Sequence, residues 1–198
     1  MPRNARTITA ADIIPVSEYE QIRKEKKREA IERKALSRLN IGPNAIILFE
    51  TWDSMWLQIQ EMLRIEKGGD AQMADELAAY APMVPNGSEL TATVLFQVAE
   101  EGARDRFLRT IGGVEQHIHI QVADHVIKAR AEGDVERTRA RDNKASAVHF
   151  FHFDFTQEAI AAWKSGEGSA MVVIDHPNYG HAALIGAATR TFLAEECF

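Results

Sequence analysis

The stretch IILFETWDSMWLQIQEMLRIE, residues 46–66, joins two periodicities. Ala45–Phe49 is a continuous apolar run after Pro43, the pattern of a strand covered on both faces. From Asp53 or Ser54, either of which can cap, the spacing turns helical. At about 100° per residue, Met55, Trp56, Ile59, Met62 and Leu63 form one broad stripe, the core face. Leu57 and Ile65 fall roughly opposite, beside Gln58, Glu61 and Arg64. A helix that is apolar on two sides is covered on two sides, here by the N-terminal helix or by another subunit.

Working outward to the N-terminus, Thr9–Asp12 predicts a short helical turn closed by Pro15. Ser17 and Glu20 have the spacing of a capping box for a long basic N-terminal helix. That helix is expected to run to about Leu39, with Asn40 and Gly42 as stop signals. Its middle, Arg23–Glu29, is almost free of apolar residues, so there it projects or bridges. Residues 1–40 hold ten Lys/Arg against six Asp/Glu, a net of +4, so the rest must carry −10 of the total −6. The division predicts a helical arm, 1–40, on a single α+β domain, 41–198. A basic arm on an acidic body suits self-docking or an acidic partner.

Toward the C-terminus, Ala71–Tyr80 and Ala103–Ile111 read as helices and Leu90–Val98 as a strand. Val114–Val122 alternates, with Val114, Ile118, Ile120 and Val122 on one face and Glu115, His117, His119 and Gln121 on the other. A strand over about 125–131 follows. Glu132–Lys144 is charged and reads as an exposed loop. In Ala147–Phe155, His149 shares a face with Phe151, Phe153 and Phe155. Thr156 caps a helix to Lys164, a hairpin joins Ala170–Ile174 to His181–Ile185, and Thr189–Glu196 is a last helix. The fold class that results is α+β: a mainly antiparallel sheet with helices packed on it.

A chain of 198 residues suits one domain with an appendage. The acidic balance argues against non-specific nucleic-acid binding. Cys197 is the only cysteine, so no intrachain disulfide or thiolate cluster can form, which suits a reducing compartment. The N-terminus lacks the apolar core of a secretory signal and no run is long enough for a membrane span, so a cytoplasmic location is expected.

No glycine-rich phosphate loop, nucleophile elbow or HExxH motif is present. Four weaker constellations remain, each with a plainer structural reading. His117 and His119, two residues apart on a strand, could share a metal ion with Glu115 or a neighbouring-strand residue as third ligand, or simply be a polar strand face. His149, on an aromatic face, is a pocket base or a satisfied core histidine. Asp175, His176 and Tyr179 gather acid, base and phenol at a hairpin end, where turn chemistry alone also favours Asp, Pro, Asn and Gly. Glu50, Gln58, Gln60, Glu61 and Arg64 form a polar row for a ligand or partner. Glu61 and Arg64 are equally an i, i+3 surface pair. Glu50 closes a buried strand and needs a partner, for which Arg64 is a candidate.

The segments LFETWDSMWLQIQEMLRIEK (48–67), AYAPMVPNGSELTATVLF (79–96), SAVHFFHFDFT (146–156) and DHPNY (175–179) together resemble a bacterial family catalogued as domain of unknown function 3501. The likeness runs from about Ile8 to Glu196. Here FETW stands where the family is expected to read FEN followed by a small or basic residue. The resemblance implies genes placed beside an iron–sulfur oxidoreductase and a rubrerythrin-like protein, and hence an accessory or partner-binding role, without catalysis, in a redox or oxidative-stress setting. It carries no catalytic residues over. Two other readings stay open: a metal- or small-ligand-binding protein, even an enzyme, using these His, Asp and Glu residues, and a homodimer joined through the Met55–Ile65 helix.

Overall fold

The computed structural model describes residues 6–133 and 136–198. A short 3-10 turn, Ala10–Asp12, precedes α1 (Val16–Ser37). A hairpin of β1 (Arg38–Ile41) and β2 (Ala45–Phe49) follows, then α2 (Trp52–Glu66) and α3 (Gly69–Tyr80). Next come β3 (Glu89–Phe96), α4 (Glu101–Thr110), β4 (Ile118–Val122) and β5 (His125–Ala131). A small hairpin of β6 (Thr138–Arg139) and β7 (Lys144–Ala145) leads to β8 (Val148–Asp154) and α5 (Gln157–Ser165). The chain closes with β9 (Ala170–His176), β10 (Tyr179–Leu184) and α6 (Ala187–Cys197).

The α+β expectation holds. Eight strands form one sheet in the order β1-β2-β3-β8-β5-β4-β9-β10, every neighbour antiparallel. The sheet curls until its two edges meet. There the Tyr179 hydroxyl donates to Ile41 O at 2.7 Å and accepts from Asn44 N and Ala45 N, each at 2.9 Å. Gly42, at φ +67°, makes the turn of the first hairpin, and a Cβ there would lie 2.5 Å from the His181 ring. Both its conformation and its surroundings therefore require glycine.

The alternation of each strand sorts residues between the interior and the outside of this curled sheet. Ala45, Ile47 and Phe49 of β2 point inward with Val94 and Phe96 of β3 and Phe151 and Phe153 of β8. Trp163, Leu193 and Cys197 from α5 and α6 complete that core. A second core lies outside the sheet, where Trp52, Met55, Trp56, Ile59 and Leu63 of α2 meet Tyr19 of α1, Met83 and Ile8. Each such side chain contributes roughly 2 kcal/mol by leaving water. Trp52 stacks on Trp56, and the two indoles donate to Thr7 O and Asp12 O.

Several local expectations are corrected. The helix α1 begins at Val16 with Pro15 at its N-cap, so Ser17 sits inside the first turn and its capping box with Glu20 does not form. It ends at Ser37 rather than Leu39, because Leu39 and Ile41 pair with Ile47 and Ala45 as a strand. Thr51, not Asp53 or Ser54, caps α2, in a box with the Ser54 hydroxyl. The second cover on α2 is α1: Leu57 is half-buried beneath it, while Ile65 remains 63% exposed. Val114–Gln116 is a 3-10 turn ahead of β4. The segment Glu132–Lys144 holds the strand β6 and the start of β7; its residues 134 and 135 lie outside the described residues. Among the described residues no helix is long and apolar enough to cross a membrane.

Candidate functional site

Glu50 follows directly on β2. Its amide still bonds to Thr91 O of β3 at 2.8 Å, and its carbonyl accepts the Cys197 thiol at 3.7 Å. The backbone is thus fixed from both sides, and strand alternation turns the side chain outward, toward α1. There the carboxyl, only 8% exposed, meets two hydroxyls, Thr93 Oγ1 at 2.6 Å and Ser54 Oγ at 2.7 Å. Among the described residues no cation bonds to it. Burial pushes its pKa up, and the two hydroxyls and the charge of Lys34 oppose this without cancelling it. The hydrogens have places for a proton on Glu50: Ser54 Oγ accepts from Thr51 N and can give its own hydrogen to Thr51 O, leaving its oxygen free to accept from the carboxyl.

Above Glu50 opens a cleft of about 280 Å³ between α1 and the β2–α2 junction. Leu48, Leu57 and Phe192 supply apolar wall, and Arg33, Lys34 and Ser37 of α1 form the opposite side. Arg33 bonds Glu196 at 2.6 Å and Asp53 at 3.1 Å and lies over the Phe192 ring. Lys34 makes no ion pair among the described residues.

Ion pairs hold α1 across this gap. Tyr19 donates to Glu61 at 2.5 Å, and Arg23 grips the same carboxylate with bonds of 2.7 and 2.9 Å. The Arg23 guanidinium brings the Glu61 pKa down to about 2, while burial pushes the Tyr19 phenol up. Arg64 pairs with Glu20 of α1 at 2.6 Å. Arg64 is therefore not the partner of Glu50, and Glu61 and Arg64 do not pair with each other: both are drawn to α1. Gln58 borders the cleft and reaches the Tyr80 hydroxyl at 3.4 Å. Gln60 is fully buried, its amide set to donate to Ile14 O and accept from Ile14 N.

The other candidates lie elsewhere. Asp175 faces outward from β9, 3.0 Å from His117 Nδ1 and 3.9 Å from His119 Nδ1. The suggested third ligand, Glu115, turns instead to the Thr138 hydroxyl at 3.0 Å. Among the described residues no three His, Cys, Asp or Glu side chains are set to hold a metal ion. Acid, base and phenol of the 175–179 turn do not converge. His176 is buried against Gly112 O, and Tyr179 points inward to close the sheet. His149 stacks on Phe151 inside the sheet and donates from Nε2 to Ser146 O at 2.9 Å. Its Nδ1 has no partner among the described residues, and burial lowers its pKa.

Two arrangements escaped the sequence reading. His152, on the outer face of β8, is sandwiched between Glu89 (Nδ1 to Oε2, 2.7 Å) and Glu132 on Nε2. Arg190, buried in α6, donates to the carbonyls of Trp163, Gly168 and Glu167 at 2.8, 2.9 and 3.1 Å, and to Ala162 O, capping α5 without a carboxylate. The period of β8 does put His152 outside, but only the β3–β8 register brings Glu89 near it.

No curated protein matches the chain. The crystal structure of a novel protein of unknown function from Burkholderia pseudomallei K96243 is similar to it at 32% identity, with a TM-score of 0.88 over 97% of this chain and 100% of that one. The model of the family described as protein of unknown function (DUF3501) matches residues 7–197, and the chain belongs to that family.

Proposed function

We propose that this is a small-molecule-binding protein whose ligand occupies the α1–α2 cleft and is held at Glu50. One observation carries the reading: a buried carboxyl with hydroxyl partners but no cation forms the floor of an open, largely apolar cleft. A buried ionisable group without a charge partner costs several kcal/mol when ionised, and a perturbed acid in a cleft is a physical mark of a binding site. The reading as a redox accessory protein, partnered by an iron–sulfur oxidoreductase or a rubrerythrin-like protein, keeps the family resemblance behind it. The geometry does not add to it. The sole thiol, Cys197, is fully buried and pushed up by that burial, and the α2 face suited to a partner is spanned by α1.

Amide NMR of the 15N-labelled protein, titrated with a set of small metabolite fragments, tests this. Shifts are expected to concentrate at Leu48–Ser54 and at 26–37, and Ala30→Phe, which fills the cleft from α1, is expected to abolish them while the rest of the spectrum holds. Shifts scattered over the surface, or insensitive to Ala30→Phe, overturn the reading.

A further inference from the structure

The ionic groups around the cleft are unevenly matched. Lys26 pairs with Glu29, Arg33 with Asp53 and Glu196, and Glu61 with Arg23. Among the described residues two lining groups make no ion pair: the buried carboxyl of Glu50 at the floor and the exposed ammonium of Lys34 on the α1 side. Between and beside them the wall is apolar, from Leu48, Leu57 and Phe192.

Resting on the reading of the cleft as a ligand site, we propose that its ligand is a free α-amino acid with an apolar side chain. Its ammonium bonds Glu50 with Thr93 and Ser54 beside it, its carboxylate meets Lys34, and its side chain lies on the apolar wall. Each leftover group thereby gains its counter-charge in one molecule. A simple amine leaves Lys34 unmatched, and a simple carboxylate leaves Glu50 unmatched. The site has room for a molecule of this size. Burial raises the pKa of the Glu50 carboxyl, and an ammonium seated beside it opposes that shift.

The test is calorimetric titration of the full-length protein with the standard amino acids, one at a time. The tightest binder is then compared with its des-amino carboxylic acid and its decarboxylated amine. Since a hydrogen bond to a charged group is worth about tenfold or more in affinity, both truncated analogues are expected to bind at least tenfold more weakly. Glu50→Gln and Lys34→Met are expected to lose a similar factor while far-UV circular dichroism is unchanged. An analogue that binds as well as its parent amino acid overturns the proposal. Fragments that shift cleft amides while no amino acid binds overturn the ligand class and leave the cleft standing as a site. Silence from both sets removes both.

Discussion

Removing one oxygen, by Tyr179→Phe, should open the seam of the sheet. The ring remains, so its contacts with Phe107, Phe96 and His181, at centroid distances of 5.5, 6.1 and 4.5 Å, are preserved. What disappears is a three-way hydrogen-bond node. Ile41 O and Ala45 N are both buried and lose their partner, whereas Asn44 is half-buried and its N–H can turn to water. A buried donor or acceptor left without a partner costs about 1–3 kcal/mol, so the two together predict a loss of roughly 4 kcal/mol. For a chain of this length that corresponds to a drop in midpoint temperature of about 10 °C. Urea unfolding followed by tryptophan fluorescence reports the global figure. Native-state hydrogen exchange locates it, because opening of the β1–β2 hairpin should become a separate low-energy event at the Asn44 and Ala45 amides. A loss below about 1 kcal/mol, with those amides as protected as in the parent, would refute the view that Tyr179 is a structural clasp rather than part of a site.

Two further predictions concern arrangements without a visible sequence signature. Arg190→Met removes a donor from four carbonyls at and just beyond the end of α5; Trp163 O keeps Gly166 N and Ala162 O keeps the Ser165 hydroxyl, so Glu167 O and Gly168 O bear most of the loss, about 2–4 kcal/mol in chemical denaturation, with Arg190→Lys restoring only part; an unchanged midpoint would remove the capping role. Burial pulls the His152 pKa down, but its bonds with Glu89 and Glu132 outweigh this and the folded-state value is raised. The histidine's contribution to stability is therefore fully present below the unfolded value of about 6.5 and is lost as pH rises through the folded one. His152→Asn should flatten the stability–pH curve across that window, and parallel curves for the two proteins would contradict it.

The opening stretch was legible because both of its periodicities act locally. Ala45–Phe49 had to be covered on two faces, and the Met55–Leu63 stripe had to face a core. Glu50 stood out for the same reason, as a carboxyl at the end of a buried run. Its surroundings were not legible, because they come from residues distant in sequence: Thr93 through the β2–β3 register and Lys34 through the path of α1. Arg64 was the wrong partner because angular position on α2 says nothing about which helix crosses it. Glu89 and His152 were hidden likewise, by a pairing that joins strands 63 positions apart.

The path of α1 also explains why a cleft exists there at all. With no apolar residues through its middle, α1 cannot lie flat on β2 by hydrophobic packing; it is tied down by Tyr19, by Arg23 on Glu61, by Glu20 on Arg64 and by Arg33 on Asp53 and Glu196. The long Arg and Glu side chains that make these pairs hold the backbone of the helix at a distance. The polar middle, which in sequence reads as projecting or bridging, is in the fold a bridge, and the space beneath a bridge of this kind is where Glu50 and Lys34 are left facing a cavity rather than a core.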